Sequence, residues 1–166
     1  LEARLRFALE VVAAVRQATA PDFPIVFRFS QWKPSDYEAR LAETPEELER
    51  LVVPLAEDGV DIFHASSRRY WVPEFEGSDL NLAGWTRKIT GKPTITVGSV
   101  GLDDVSREGA NPSDISELIE RLERDEFDLV ALGRALLTDA EWGNKIRDGR
   151  HDEIAGFDKE SLKTLT

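Results

Sequence analysis

Phe127-Asp128-Leu129-Val130-Ala131-Leu132-Gly133 is an apolar run too short for a buried helix, with an acid near its start and a glycine at its end. A run of that length and composition reads as a parallel strand covered on both faces. Three earlier runs share its build: Pro24-Ile25-Val26-Phe27-Arg28-Phe29-Ser30, Gly59-Val60-Asp61-Ile62-Phe63-His64 and Pro93-Thr94-Ile95-Thr96-Val97-Gly98. Their starts, at residues 24, 59, 93 and 127, recur every 34 or 35 residues.

Helical patterns fill the gaps. Residues 1–19 place Leu5, Leu9, Val12 and Val15 at helical spacing. Thr44-Pro45-Glu46-Glu47 is a helix start, with Thr44 at the N-cap, Pro45 in the first turn and acids beside it. Leu48, Leu51, Val52 and Leu55 then fall on one face, and Gly59 follows the end. Residues 82–89 predict a short helix. Another is expected from Ser113, turning Ile115, Leu118, Ile119 and Leu122 inward. Residues 141–147 and 159–165 predict shorter helical pieces.

Strands alternating with helices imply βαβ units, a parallel sheet and right-handed crossovers. Regular spacing and short strands favour a (β/α)8 TIM barrel over an open sheet. A whole barrel takes about 250 residues. With 166 residues and four parallel strands, the α/β chain reads as half of one, a single domain over 1–166 that exposes two strand edges. It opens on Leu1 and holds no methionine, which reads as a fragment, a processed product or an engineered cut.

The formal net charge is -11, with 41% hydrophobic and 32% charged residues. An acidic chain is a poor match for nucleic acid or an anionic membrane. There is no cysteine, so disulfides, thiolate metal sites and cysteine nucleophiles are excluded, and a reducing cytoplasm fits. No apolar run approaches the roughly 20 residues of a membrane span.

Chemistry in such folds sits at strand C-terminal ends. Two long connections start there, residues 65–80 and 99–112. The strongest signal is the pair Thr96-Val97-Gly98-Ser99-Val100-Gly101 and Leu132-Gly133-Arg134-Ala135-Leu136. Glycines allow backbone N–H groups close to a phosphate, Ser99 adds a hydroxyl, and Arg134 adds a planar permanent cation. Barrels commonly bind phosphate between the loops after strands 7 and 8. The alternative is that the glycines only turn the chain and Arg134 pairs with an acid. Arg28, in an otherwise apolar strand, could steady negative charge on a reduced flavin ring or sit in a buried salt bridge. Ser66-Ser67-Arg68-Arg69-Tyr70-Trp71 could contact a nicotinamide cofactor, cover a flavin, or be a solvated or interface loop. His64 reads as structural and His151 as a surface residue. Neither they nor Asp61, Asp79, Asp103 and Asp104 have metal-site spacing, and Glu43, Glu46, Glu47 and Glu49 read as a solvated helix face. No GxSxG, Walker or GxGxxG pattern is present.

The sequence resembles the old yellow enzyme family, the FMN-dependent NADH:flavin oxidoreductases and ene-reductases. The carriers are residues 1–7, Phe23-Pro24-Ile25-Val26-Phe27-Arg28, Thr44-Pro45-Glu46-Glu47-Leu48, Gly59-Val60-Asp61-Ile62-Phe63-His64, residues 91–99 and, most specifically, residues 127–137 with Gly133-Arg134. The resemblance implies the C-terminal half of the barrel, family strands 5–8. It places Arg28 against the flavin ring, and Gly98, Ser99, Gly133 and Arg134 around the FMN phosphate. It implies hydride transfer from NADH or NADPH through FMN N5 to an activated alkene or another acceptor. The family's substrate-binding His/Asn or His/His pair and proton-donating tyrosine belong to the early half. No residue here takes a catalytic role, neither Tyr37 nor Tyr70 matches that tyrosine, and the chain by itself is expected to be inactive. The expected partner is the N-terminal half-barrel or a second copy. The competing readings are a self-associating half-barrel that binds FMN or phosphate without turnover, and a purely structural half-barrel with empty strand ends.

Overall fold

A computed structural model describes residues 2–106 and 108–164. Leu1 and Leu165, the outer limits of two expected helices, lie outside the described residues. The strands are β1 (Val26–Phe29), β2 (Ile62–Ser66), β3 (Thr94–Val97), β4 (Gly109–Ala110), β5 (Leu129–Val130) and β6 (Phe157–Asp158). The helices are α1 (Glu2–Ala18), α2 (Pro45–Glu57), α3 (Leu82–Thr90), α4 (Ser116–Glu123), α5 (Arg134–Thr138) and α6 (Trp142–Arg147). Two 3-10 turns, His151–Glu153 and Lys159–Thr164, follow.

The four expected strands form one parallel sheet in the order β1-β2-β3-β5. Ladder pairing at β5 is short, but hydrogen bonds continue past it. Asp128 N donates to Thr94 O, Ala131 N donates to Thr96 O, and Thr94 N donates to the Asp128 carboxylate. A second sheet of two antiparallel two-residue strands, β4 and β6, was not expected.

Side chains alternate across a parallel strand, so the register sorts them into two faces. Phe27, Phe29, Phe63, Ala65, Thr94 and Thr96 share the face under the helices. Phe63, Leu48, Val52, Leu55, Val60 and Leu82 are almost wholly buried there. Full burial of such a side chain contributes roughly 1.5–3 kcal/mol. The three phenylalanines pack with ring centroids 6.3–6.4 Å apart. Val26, Arg28, Ile62, His64, Ser66, Ile95, Val97 and Leu129 share the opposite face. Among the described residues no element covers it at the edges, where Val26 and Leu129 are 49% and 51% exposed.

The expected α2 start is present, and α3 has caps of its own. Thr44 accepts from Glu47 N and Pro45 opens α2. Asn81 accepts from Gly84 N at the start of α3, and Gly91 ends it in the left-handed region. Three readings need correction. α4 starts at Ser116 rather than Ser113, because Asp114 accepts from both Ser116 N and Ser116 Oγ and holds the chain in a turn first. Ile119 and Leu122 point outward with Ile115 and Leu118 buried, so the helix presents a narrower stripe than expected. Val15 is likewise exposed on α1. No helix among the described residues is long and apolar enough to cross a membrane.

Candidate functional site

The C-terminal ends of the parallel strands β1, β2, β3 and β5 lie on one side of the sheet, where Gly98 and Ser99 follow β3, Gly133 and Arg134 come after β5, and Arg28 sits one residue before the end of β1. β3 ends in Gly98, at φ +142, and Ser99, at φ +49. That left-handed turn aims Ser99 Oγ at the Arg68 and Asp104 carbonyls, each 3.2 Å away. After β5, Gly133 breaks the chain direction and Arg134 starts α5. The Arg134 guanidinium reaches back across the sheet edge to the loop after β3. It donates to the carbonyls of Ser106 and Asp104, and to Ser99 Oγ at 3.3 Å. Its plane lies 5.6 Å from the Phe157 ring. Burial pulls its pKa down while the Asp104 charge pushes it up.

The expected open space is at Gly133, where an added Cβ would meet nothing within 4 Å. Gly98 is glycine for another reason. An added Cβ would lie 2.8 Å from both Arg69 N and Ser67 O. The loop after β2 therefore packs directly on the end of β3. Tyr70 N donates to Gly98 O at 3.1 Å, and Ser67 Oγ donates to Val97 O at 2.6 Å. Buried Asn81 donates to Tyr70 O at 2.8 Å and to Thr96 Oγ1 at 3.1 Å. A cavity of about 200 Å³ opens between this loop and Ser99, Gly98 and Arg134.

Arg28 is exposed on the open face and donates to Ser66 Oγ at 3.1 Å. Its register partner is His64. His64 Nε2 is buried without a hydrogen-bond partner among the described residues. Burial first, and the Arg28 charge second, hold the imidazole pKa below its usual 6.5.

The four arginines at this edge share a property that separates them from the rest. Arg28, Arg68, Arg69 and Arg134 have no carboxylate within ion-pair distance among the described residues. Arginines with described side chains elsewhere are paired, as in Arg16–Asp61, Arg121–Glu126 and Arg87–Asp128. In a chain of net charge -11, leaving these four without acids keeps a local positive field at the strand ends. The salt-bridge alternatives for Arg28 and Arg134 are thus not what the structure shows.

Sequence reading missed the neighbours of this edge. Trp32 and Tyr37 pack with ring centroids 5.5 Å apart, and the Arg68 guanidinium stacks 3.8 Å over the Tyr37 ring. Their spacing in the loop after β1 carries no periodic signal. Among the described residues, no group of His, Cys, Asp and Glu could hold a metal ion.

Residues 1–153 match the model of the NADH:flavin oxidoreductase / NADH oxidase family. An NADH oxidase of Thermoanaerobacter brockii is 34% identical over 162 residues, covering 92% of this chain and 22% of that protein. A bilirubin reductase of Clostridium symbiosum is 29% identical over 163 residues, covering 91% and 40%. A cinnamate reductase of Clostridium sporogenes is 28% identical over 173 residues, covering 93% and 24%. Thus the chain spans between 22% and 40% of the length of these curated relatives. Among solved structures, morphinone reductase superposes with a TM-score of 0.60 at 21% identity, over 88% of this chain and 35% of that one. 2-Naphthoyl-CoA reductase gives 0.64 at 19% identity, over 93% and 22%. The four-stranded sheet with its helices is part of a TIM barrel.

Proposed function

Because the chain belongs to the NADH:flavin oxidoreductase / NADH oxidase family, we propose that it is the FMN-anchoring, C-terminal half-barrel of an NAD(P)H-dependent flavin oxidoreductase. The single observation that carries this reading is Arg134. It is a partly buried, unpaired cation, turned by Gly133 and α5 toward Ser99 across two strand ends. Its Nε–H donates to nothing among the described residues. A free guanidinium donor and a serine hydroxyl at a cavity of about 200 Å³, with open space at Gly133 next to Arg134 in the chain, suit a phosphate monoester.

In this reading Ser99, Gly133 and Arg134 hold the FMN phosphate, and Gly98 sets the turn that presents Ser99. Arg28 meets the ring from the open sheet face, where a fixed positive charge favours the electron-rich state of a bound flavin. Ser66 fixes the Arg28 head group, and neutral His64 beside it adds no competing charge. Bound FMN would supply hydride transfer from NADH or NADPH to an acceptor. Two relatives are named for reducing bilirubin and cinnamate, and an activated alkene is the acceptor proposed here. No residue of this chain is assigned to activating that acceptor. The half-barrel completes its sheet with an N-terminal half or with a second copy.

FMN and riboflavin differ by the phosphate alone, so titrating the chain with both tests the assignment. FMN is expected to bind at least about tenfold tighter than riboflavin, as a charge-assisted hydrogen bond provides. Arg134→Ala is expected to abolish that difference. Equal affinities for the two flavins, or an Arg134→Ala chain that still prefers FMN, would overturn the reading.

A further inference from the structure

The flavin reading uses Arg28 and Arg134 and leaves Arg68 and Arg69 without a task. Both are half-buried, and neither has a carboxylate within ion-pair distance among the described residues. They flank the meeting point of two cavities. One is the cleft at Ser99 and Arg134, and the other, of about 270 Å³, continues past Gln31 and Arg40 to Glu74. Trp32, Tyr37, Ser67 and Arg68 line both, so the two form one groove.

We propose that Arg68 and Arg69 bind the carboxylate of an aromatic or conjugated acid, whose flat body lies along Trp32 and Tyr37. The term "acceptor" for this acid rests on the flavin reading, whereas the anion site itself rests on the groove alone.

Three observations carry it. First, the loop that carries the two arginines is held in place, and the Arg68 guanidinium is stacked over the Tyr37 ring. Ser67, Tyr70 and Asn81 fasten their loop to β3 and α3, and Gly98 leaves no room beneath it. A site whose donors are already fixed binds with little ordering cost. Second, a planar guanidinium matches the two oxygens of a carboxylate, and the Trp32–Tyr37 pair offers aromatic surface next to it. Third, the groove selects for a compact anion. Its far end carries Glu38 and Glu74. Glu74 is tied to Arg40 and accepts from Gln31 Nε2 at 3.0 Å. With Glu74 paired to Arg40, Glu38 is the acid left without an ion pair at that end among the described residues, and it disfavours an extended polyanion such as a dinucleotide pyrophosphate.

The test compares benzoate with its neutral isostere benzamide by calorimetric titration of the whole chain. Benzoate is expected to bind at least about tenfold tighter, and Arg68→Gln or Arg69→Gln to remove about tenfold of benzoate affinity while leaving benzamide unchanged. Arg69→Gln keeps the FMN-over-riboflavin preference, and Arg134→Ala keeps the benzoate-over-benzamide preference. Equal binding of benzoate and benzamide, or insensitivity of benzoate to both arginine variants, would overturn the proposal. So would ADP-ribose binding more tightly than benzoate through the same two arginines, which would assign them to the reductant. If FMN shows no preference over riboflavin while benzoate still depends on Arg68 and Arg69, the flavin reading falls and the anion site stands.

Discussion

Arg28 and His64 sit side by side on the open sheet face, and the arginine charge bears on the state of the imidazole. The imidazole has lost water to burial and faces a permanent cation, so its neutral form is favoured in the fold. Its folded pKa lies below its unfolded value. The stability gained from the neutral form is therefore fully present above the unfolded pKa and is lost as pH falls through the folded one. Proton NMR titration should place the His64 transition below 6.5, and Arg28→Gln should move it upward. A transition that stays put in Arg28→Gln would show that burial alone sets it. At this scale the sequence revealed which residue types stood at the strand ends. It could not reveal that the arginines there lack acids, because pairing depends on which distant carboxylates the fold brings near. Arg121 is held by Glu126, five residues away, and by the carbonyl of Asp79, while Arg68 and Arg69 have acids along the chain but none within reach.

Elements were legible where a period runs long enough to be seen. The strands and α2 follow from β-branched runs and from a cap with an apolar stripe. The β4–β6 pair escaped because two residues carry no period, and α4 began late because Asp114 captured Ser116 first. The join between the β2 loop and β3 is where element and site meet. Gly98→Ala would drive a Cβ to 2.8 Å from backbone atoms at a positive φ. It should cost about 2–4 kcal/mol, through strain and overpacking together. Gly133→Ala places its Cβ in open space at a negative φ. Its stability should change by less than about 0.5 kcal/mol, yet FMN should bind more weakly where the methyl takes up the cleft. Urea unfolding and FMN titration of both variants check the contrast. A stable Gly98→Ala chain would mean that the loop does not pack on β3 as described.

On the scale of the whole molecule, some of the exposed apolar groups mark the sheet edges and one helix. Val26 and Leu129 lie on the open face, at opposite edges of the sheet. Phe7, Val11 and Val15 form a stripe along α1, with Phe7 75% exposed. Exposed apolar surface drives association, and two unpaired parallel edges add backbone donors and acceptors to it. The 18.6 kDa chain should therefore sediment as a dimer or larger when it is alone in solution. Lysines at both edges, Val26→Lys with Leu129→Lys, should return it to a monomer by placing charges on the surface to be buried. A wild-type chain that sediments as a monomer at high concentration would count against half-barrel pairing. The same incompleteness limits chemistry. In the proposed reading Arg28, Ser99 and Arg134 position a flavin, but no side chain here is assigned to polarise an acceptor, and that polarisation is commonly the largest single contribution to rate. NADH oxidation by the isolated chain should accordingly stay near background even with FMN added, and rise only when an N-terminal half completes the barrel. Rapid turnover by the 166 residues alone would show that the strand ends described here carry the acceptor chemistry as well as the anchor.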